Sequence, residues 1–310
     1  MATRHFLSIL DLTPDDLHRC LERAAHFRAS RRARTPLPEA TALAGRQVGL
    51  LFEKPSLRTR VTFTIGIREL GGDFVDIPSD VMHADREPLH DVARNLERWV
   101  DAVVIRTFAQ ARLSIFLESA PSLRVVNALS DEEHPCQALA DMQTLRERWG
   151  TVAGRTLAFV GDGNNVATSM VHAAVMLGAH VRVATPKGYA LPPEVAEQAR
   201  RIAVGGAELS QFIDPNTAVK GADAVYTDVW TSMGQEVEAA ERTKLFSRYQ
   251  VNEALMARAK ADAIFMHCLP AHRGQEVTDE VIESAASVVF DQAENRLHAQ
   301  KSMLVHLFGG

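Results

Sequence analysis

The sequence predicts an α/β protein with two doubly wound domains, each a mainly parallel sheet with helices on both faces. Short runs rich in Val, Ile and Leu alternate with stretches of helical spacing, and this alternation repeats in the second half of the chain. The length of 310 residues is enough for about two domains of ordinary size. Hydrophobic residues make up 46% and charged residues 24%, which is typical of globular chains and not of disordered ones.

The first half is predicted to begin with a helix and then to alternate strands with helices. Thr13 supplies a capping hydroxyl and Pro14 takes the first helical position. An apolar stripe with helical spacing follows at Leu17, Leu21, Ala24 and Ala25. Four strands are predicted at residues 47–52, 74–77, 102–106 and 124–129.

The second half repeats the pattern, with a domain boundary expected near Trp149 and Gly150. Its strands are predicted near residues 156–161, 180–185, 224–228 and 263–268. Ligands of such sheets bind beyond the carboxyl ends of the strands, and between domains when two sheets face each other. We therefore expect the active site in an interdomain cleft, because the polar motifs described below all follow strands.

Charge and cysteine content exclude several classes of protein. A net charge of -5 and a pI near 6.2 oppose general binding to nucleic acid, which needs a broad basic surface. The three cysteines are odd in number and far apart, so they indicate a reducing compartment rather than a disulfide framework. No run approaches the ~20 apolar residues of a membrane span, and no secretory signal or zinc motif is present. We expect a cytoplasmic protein without a nucleic-acid or membrane partner.

The segment 52–60 has the composition of an anion-binding site at a strand-to-helix junction. Ser56 can cap the helix while Arg58 supplies bidentate donors, and the NH groups of the first turn have no partners within the helix. A phosphate fits these donors best. An ordinary capped helix with solvated arginines remains open from this segment alone.

Two further strands of the first half end in polar groups. Arg106 closes one predicted strand, although a surface arginine is the simpler interpretation of this residue alone. After the next strand, His134 and Gln137 flank Pro135 and place a ring and an amide at another helix N-terminus.

In the second half, a glycine turn after the first strand resembles a dinucleotide loop but lacks two of its features. Val166 stands where a third glycine is needed, and the next strand ends without an acidic residue, so a nicotinamide-dependent dehydrogenase is a poor interpretation. Asn164 and Asn165 instead offer amides that suit an amino-acid carboxylate or ammonium.

Two more strand ends carry Asp228 and Cys268. Asp228 could pair with a substrate amine, and a helix cap is the alternative. Cys268 has no evident base to activate it, since His267 precedes it along a strand and should point to the opposite face. A lone cysteine is more often a small buried apolar residue.

Five strings in this order resemble the aspartate/ornithine carbamoyltransferases, and most closely the branch that acts on ornithine. They are Ser56-Leu57-Arg58-Thr59-Arg60, His134-Pro135-Cys136-Gln137, Asp228 through Ser232-Met233-Gly234, His267-Cys268-Leu269-Pro270 and Ala293-Glu294-Asn295-Arg296-Leu297. The resemblance covers nearly the whole chain. It implies a carbamoyl phosphate domain at 1–148, joined by a C-terminal helix at about 292–310, and an ornithine domain at 149–291.

The resemblance also implies a role for each site residue. Ser56, Arg58 and Thr59 would hold phosphate, with the backbone NH of Leu57. The carbamoyl group would be contacted by Arg106, His134 and Gln137, and Arg296 would return to the same side from the last helix. Ornithine would be held by Asn165, Asp228, Ser232 and Met233. Cys268 and Leu269 would reach both substrates.

The implied reaction is direct attack of the ornithine δ-amine on carbamoyl phosphate, which gives citrulline and phosphate without a metal, a cofactor or a covalent enzyme intermediate. The implied assembly is a homotrimer or a multiple of trimers. Two residues depart from the family pattern, Leu57 in place of a common threonine and Met82 in place of a common glutamine that serves a neighbouring subunit.

Three alternatives stay open at this point. Putrescine carbamoyltransferase shares the His-Cys-Leu-Pro string, and Ser232-Met233-Gly234 favours ornithine over it. Aspartate carbamoyltransferases have His-Pro-Thr-Gln where this chain has His-Pro-Cys-Gln, with Cys136 in place of the threonine. The second carboxylate of aspartate needs cationic partners, and the acidic Asp228 argues against that substrate. A catalytically silent homologue is the remaining non-enzyme interpretation, and the intact site residues oppose it.

Overall fold

The computed structural model describes residues 4–37, 39–83, 87–231 and 236–309. The chain divides into two compact units. The first combines the residues up to Gln143 with those from Glu294 onward, and the second runs from Thr144 to Ala293.

The first unit contains a four-stranded parallel sheet in the order β2-β1-β3-β4. Its strands are β1 (Gln47–Phe52), β2 (Asp73–Ile77), β3 (Ala102–Arg106) and β4 (Arg124–Leu129). β3 is buried along its whole length, as expected for a parallel strand covered on both faces, whereas β2 lies at an edge and is largely exposed. The opposite edge is extended by Phe6, whose N–H donates to the carbonyl of Val125 at 2.9 Å.

The helices of this unit connect and cover the strands. They are α1 (Pro14–Ala33), α2 (Leu57–Glu69), α3 (Leu89–Trp99), α4 (Ala111–Ser119), the first part of α5 (Pro135–Trp149) and most of the last helix, α12 (Val289–Leu307). The predicted start of α1 is confirmed: the Thr13 hydroxyl accepts from the Asp16 N–H at 3.1 Å, and the Asp16 carboxylate accepts in return from the Thr13 N–H at 3.2 Å.

The second unit contains a five-stranded parallel sheet in the order β7-β6-β5-β8-β9. Its strands are β5 (Thr156–Val160), β6 (His180–Ala184), β7 (Leu209–Phe212), β8 (Ala224–Thr227) and β9 (Ile264–His267). Its helices are α6 (Asn165–Met176), α7 (Pro193–Ile202), α8 (Pro215–Val219), α9 (Ala239–Phe246), α10 (Glu253–Met256) and α11 (Asp279–Ile282).

The eight predicted strands are all present, with ends that agree to one residue. The prediction missed β7, an edge strand whose sequence Leu-Ser-Gln-Phe is only partly buried and gives no apolar run. The two sheets of helix-covered parallel strands confirm the predicted fold class. In the described ranges no helix has both the length and the apolar character needed to span a bilayer.

Candidate active site

The N-terminus of α2 follows β1 directly and is capped by a side chain. Ser56 Oγ accepts a hydrogen bond from the Thr59 backbone N–H at 3.3 Å. Leu57 is 75% exposed, whereas Thr59 is buried and Arg58 is half-buried. The predicted strand-to-helix junction is therefore present, and Arg58 lies in the first turn of the helix.

A buried hydrogen-bond network joins α2, α5 and α12 within the first unit. The Arg296 guanidinium donates from Nη2 to Thr59 Oγ1 at 2.6 Å and from Nη1 to Gln137 Oε1 at 2.7 Å. Gln137 in turn donates to Asp141 Oδ1 at 2.8 Å. Charge-assisted bonds of this length are strong, so three predicted site residues from distant parts of the sequence are held together.

His134 lies in a cationic environment at the start of α5. Burial lowers the pKa of His134 well below its ordinary value, and the positive charges of Arg296, Arg106, Arg58 and Lys54 lower that pKa further, in decreasing order. The ring is consequently neutral near pH 7, with one nitrogen a donor and the other an acceptor. The end of β3, the start of α2 and α12 therefore each carry an arginine whose charge lowers the pKa of His134.

Lys54 is a buried cation of this site that sequence reasoning missed. Its ammonium pairs with Asp131 Oδ1 at 2.6 Å and lies 4.2 Å from the centroid of the Phe108 ring. The side chain is 4% exposed. Its position within the segment 52–60 could have indicated a role in anion binding. A lysine between a strand and a helix is usually solvated, however, so its sequence position alone did not predict burial.

Cys136 has no chemical role that the structure supports. Burial raises the pKa of this thiol to about 12, so it is not ionised near neutral pH. Its Sγ donates to the Asn127 carbonyl at 3.4 Å, as a small buried residue does.

In the second unit, Asp228 follows β8 and accepts hydrogen bonds from residues that follow β5 and β9, the strands on either side of β8. Its buried carboxylate accepts from Asn164 Nδ2 at 2.8 Å and from Cys268 Sγ at 3.0 Å. Asn164 also caps α6 through its Oδ1. Asn165, the predicted ligand, is the first residue of α6, directly after Asn164.

The segment after β9 is fixed by a buried histidine. His267 Nδ1 accepts from the Leu269 backbone N–H at 2.9 Å, and Nε2 lies 3.2 Å from Glu276 Oε1. Leu269 has φ of +58° and a cis bond to Pro270. The expectation that His267 points away from Cys268 is wrong, because β9 ends at His267 and the chain turns there, leaving a ring nitrogen within 4.8 Å of Cys268 Sγ.

Asp228, His267 and Cys268 form the one group of possible metal ligands among the residues that the structure describes. Its donor set does not fit a metal well. The Nδ1 lone pair of His267 is already used by Leu269, and Nε2 carries the proton that faces Glu276. Only Asp228 and Cys268 remain, and they are hydrogen-bonded to each other.

Arg242 was not predicted and stabilises the loops around Asp228. It is buried, pairs with Asp162 and donates from Nε to the Trp230 carbonyl at 2.5 Å. Burial raises the pKa of Asp162, and the charge of Arg242 opposes that rise. The predicted ligands Ser232 and Met233 lie outside the described residues.

Comparison with known proteins gives the family. The model of the aspartate/ornithine carbamoyltransferase carbamoyl-P binding domain matches residues 4–147, and that of the Asp/Orn binding domain of the same family matches residues 153–307. The chain belongs to this family. It is accordingly a carbamoyltransferase, and the dehydrogenase and non-enzyme interpretations fall away.

Individual members of the family are similar over their full length. The chain is 47% identical over 307 residues to the ornithine carbamoyltransferase of Trichormus variabilis, covering 99% of this chain and 97% of the relative. It is 49% identical over 306 residues to that of Acidothermus cellulolyticus, covering 98% and 96%. The solved ornithine carbamoyltransferase of Pyrococcus furiosus matches with a TM-score of 0.94 and 46% identity, covering 100% and 98% of the two chains.

Proposed function

We propose that the chain is an ornithine carbamoyltransferase, which transfers the carbamoyl group of carbamoyl phosphate to the δ-amine of L-ornithine and releases L-citrulline and phosphate. The observation that carries this proposal is the buried Asp228 carboxylate with its two donors, Asn164 and Cys268. An anionic group in the substrate site selects a cationic amine and rejects the second carboxylate of aspartate. The names of the similar proteins support the same acceptor.

Carbamoyl phosphate binds to the first unit in this proposal. Its phosphate is held by the Ser56 hydroxyl, the Leu57 backbone N–H and the Arg58 guanidinium, with Thr59 in the same turn of α2. The carbamoyl oxygen takes donors from Thr59, Arg106 and His134. Gln137 addresses the carbamoyl amide, and Arg296 fixes Gln137 and Thr59 in place through its two hydrogen bonds.

A neutral His134 suits its proposed role. A protonated imidazole would lose its acceptor nitrogen and add a further charge to a cluster that already holds four cations. The neutral ring can donate one hydrogen bond to the oxygen on which charge grows as the amine attacks. Preorganised donors of this kind lower the barrier because they need no reorganisation when the charge develops.

Ornithine binds to the second unit in this proposal. Asp228 pairs with an ammonium of ornithine, Asn165 offers an amide, and Ser232 and Met233 read the α-amino and carboxylate groups. Cys268 and the Leu269 backbone orient the δ-amine toward the carbamoyl carbon. The amine attacks directly, so no metal, cofactor or acyl-enzyme is required.

The attacking amine must be neutral. An alkyl amine has a pKa near ~10.4 in water, so free ornithine carries the wrong protonation state near neutral pH. We expect turnover at saturating substrates to rise with pH over the neutral to alkaline range. A flat profile in steady-state assays would show that deprotonation is not part of the limiting step.

The proposal extends to assembly and cell context. We propose a homotrimer, as the family resemblance implies. We expect the further copies to cover the exposed apolar side chains of Leu57 and Val61 on α2 and of Val75 on the neighbouring edge strand β2. Light scattering is expected to give three times the 34.1 kDa chain mass, and a monomer at micromolar concentration would contradict this.

A cytoplasmic enzyme of arginine biosynthesis is the context that we propose. All three cysteines fall in the described ranges and are free thiols, as suits a reducing compartment. The similar solved structure from Campylobacter jejuni, at 35% identity, is described as an anabolic ornithine carbamoyltransferase.

One assay tests the acceptor. Purified protein is mixed with carbamoyl phosphate and either ornithine, putrescine, acetylornithine or aspartate, and both phosphate and ureido product are measured. Ornithine is expected to give the highest kcat/KM, with equal amounts of both products, and Arg58→Ala serves as the inactive control. A higher kcat/KM for putrescine or aspartate, or no product with any acceptor, would overturn the proposal.

A further inference from the structure

Glu53 is a buried carboxylate beside the carbamoyl phosphate residues to which no substrate role is assigned. It is the first residue after β1, and its side chain is 3% exposed. The carboxylate pairs with the Arg112 guanidinium on α4 and accepts a hydrogen bond from the Thr107 hydroxyl. Its backbone N–H donates to the carbonyl of Arg106 at 2.9 Å. Glu53 therefore bonds the Arg106 carbonyl through its backbone and Thr107, the residue after Arg106, through its side chain.

The pairing of β3 is irregular at the same point. On one side, Phe52 of β1 stands in regular register with Arg106. On the other side, the register with β4 shifts between Ile105 and Arg106, so that Arg106 lies opposite Leu129. Such irregularities weaken the ladder and redirect a side chain, and they are common next to active sites. The contacts from Glu53 lie at this irregularity, just before pairing with β4 resumes through the Thr107 N–H, which donates to the Leu129 carbonyl at 2.9 Å.

We propose that Glu53 is a positioning residue for Arg106. It does not touch substrate; it fixes the backbone that directly follows the Arg106 α-carbon, at the Arg106 carbonyl and at Thr107, so that the guanidinium faces the carbamoyl oxygen. This inference rests on the proposed function, which gives Arg106 that role. A displacement of about 1 Å at a reacting centre can lower a rate by on the order of 100-fold, so a fixed backbone matters to turnover.

A purely structural ion pair is the competing explanation, and the chain offers a matched control for it. Asp101 directly precedes β3 and contacts Gln47 at the start of β1, whereas Glu53 lies at the other end of these two strands. Its carboxylate accepts from Arg46 Nη1 at 2.6 Å and from the Gln47 N–H at 2.9 Å, and its own N–H donates to the Gln47 carbonyl at 2.8 Å. Asp101→Asn removes a similar charge from a similar set of contacts, far along the strands from Arg106.

The test compares Glu53→Gln, Thr107→Val and Asp101→Asn by steady-state kinetics and thermal unfolding. Glu53→Gln is expected to lower kcat about 10- to 100-fold, with Thr107→Val in the same direction and KM for ornithine unchanged. Asp101→Asn is expected to lower Tm and leave kcat unchanged. Equal kcat in Glu53→Gln and wild type, with a loss of Tm like that of Asp101→Asn, would reduce Glu53 to a structural ion pair.

A double-mutant cycle shows whether Glu53 acts through Arg106. In an Arg106→Ala background, Glu53→Gln is expected to have no further effect on kcat, because the guanidinium that it positions is gone. An undiminished effect in that background would refute the inference. Thr107→Val keeps the cycle usable if Glu53→Gln does not fold. Calorimetric titration with carbamoyl phosphate needs no turnover, so it separates failure of this inference from failure of the proposed acceptor.

Discussion

Replacing Asp228 by asparagine removes one charge from the ornithine residues and preserves their shape. The carboxylate is buried and accepts from Asn164 and Cys268 at 2.8 and 3.0 Å. A carboxamide can accept from only one side, so its NH₂ group would face one of these two donors. The variant therefore loses its attraction for an ammonium and gains an unfavourable donor–donor contact.

The size of the effect follows from the lost charge. A hydrogen bond to a charged group contributes about 1.5–3 kcal/mol, and about 1.4 kcal/mol corresponds to a factor of ten. We therefore expect kcat/KM for ornithine to fall about 10- to 150-fold in Asp228→Asn. KM for carbamoyl phosphate should stay unchanged, because that substrate binds to the first unit in our proposal.

The assay is citrulline formation with ornithine varied at saturating carbamoyl phosphate, and then the reverse. Asp223→Asn is the matched control, since Asp223 is a buried carboxylate just before β8 whereas Asp228 lies just after it. Asp223 pairs with Arg155 and Lys260 at 2.9 and 2.8 Å, so its loss should lower stability and spare kcat/KM. Unchanged kcat/KM for ornithine in Asp228→Asn, or a loss that appears in KM for carbamoyl phosphate, would refute the reasoning.

Three further predictions concern the same residues. In Arg296→Lys a single ammonium nitrogen replaces the two guanidinium nitrogens that bond Thr59 and Gln137, so we expect one of these buried partners to lose its hydrogen bond. An unsatisfied buried partner costs about 1–3 kcal/mol, so kcat/KM for carbamoyl phosphate should fall about 5- to 150-fold. Circular dichroism should show that the variant remains folded. Cys268→Ser should keep measurable turnover, and intact-mass spectra of wild type mixed with carbamoyl phosphate should show no adduct on this thiol; an inactive variant together with a trapped adduct would contradict direct attack. Because burial lowers the pKa of His134 in the folded state, the unfolded chain takes up that proton first as the pH falls below 6.5. The free energy of unfolding should then fall by about 1.4 kcal/mol per pH unit for this residue, and urea titrations of His134→Gln should lack that share of the slope.

Sequence pattern was sufficient for most of the fold because parallel strands buried on both faces are nearly continuous apolar runs. β3 is such a run and was predicted to the residue. β7 was missed for the same reason, since an edge strand with one exposed and three half-buried residues has no such run. The strand-end rule also placed Ser56, Arg106 and His134 correctly at the carboxyl edge of one sheet.

The pairings inside the site could not be predicted from spacing. Thr59 and Arg296 are 237 residues apart, and only the family resemblance placed them on the same substrate. Glu53 and Lys54 were missed because their importance depends on partners in other loops, and periodicity carries no information on such pairs. The wrong expectation for His267 came from extending a strand rule one residue beyond the end of β9.

We propose that residues of both units bind one pair of substrates, and a single ligand can test this. A stable analogue that joins a phosphonate to the δ-nitrogen of ornithine through an acetyl group carries both halves in one molecule. Calorimetric titration should give one bound analogue per chain, and Arg58→Ala and Asp228→Ala should each weaken its binding strongly. Binding that survives either substitution unchanged would show that only one unit holds the ligand and would contradict the account.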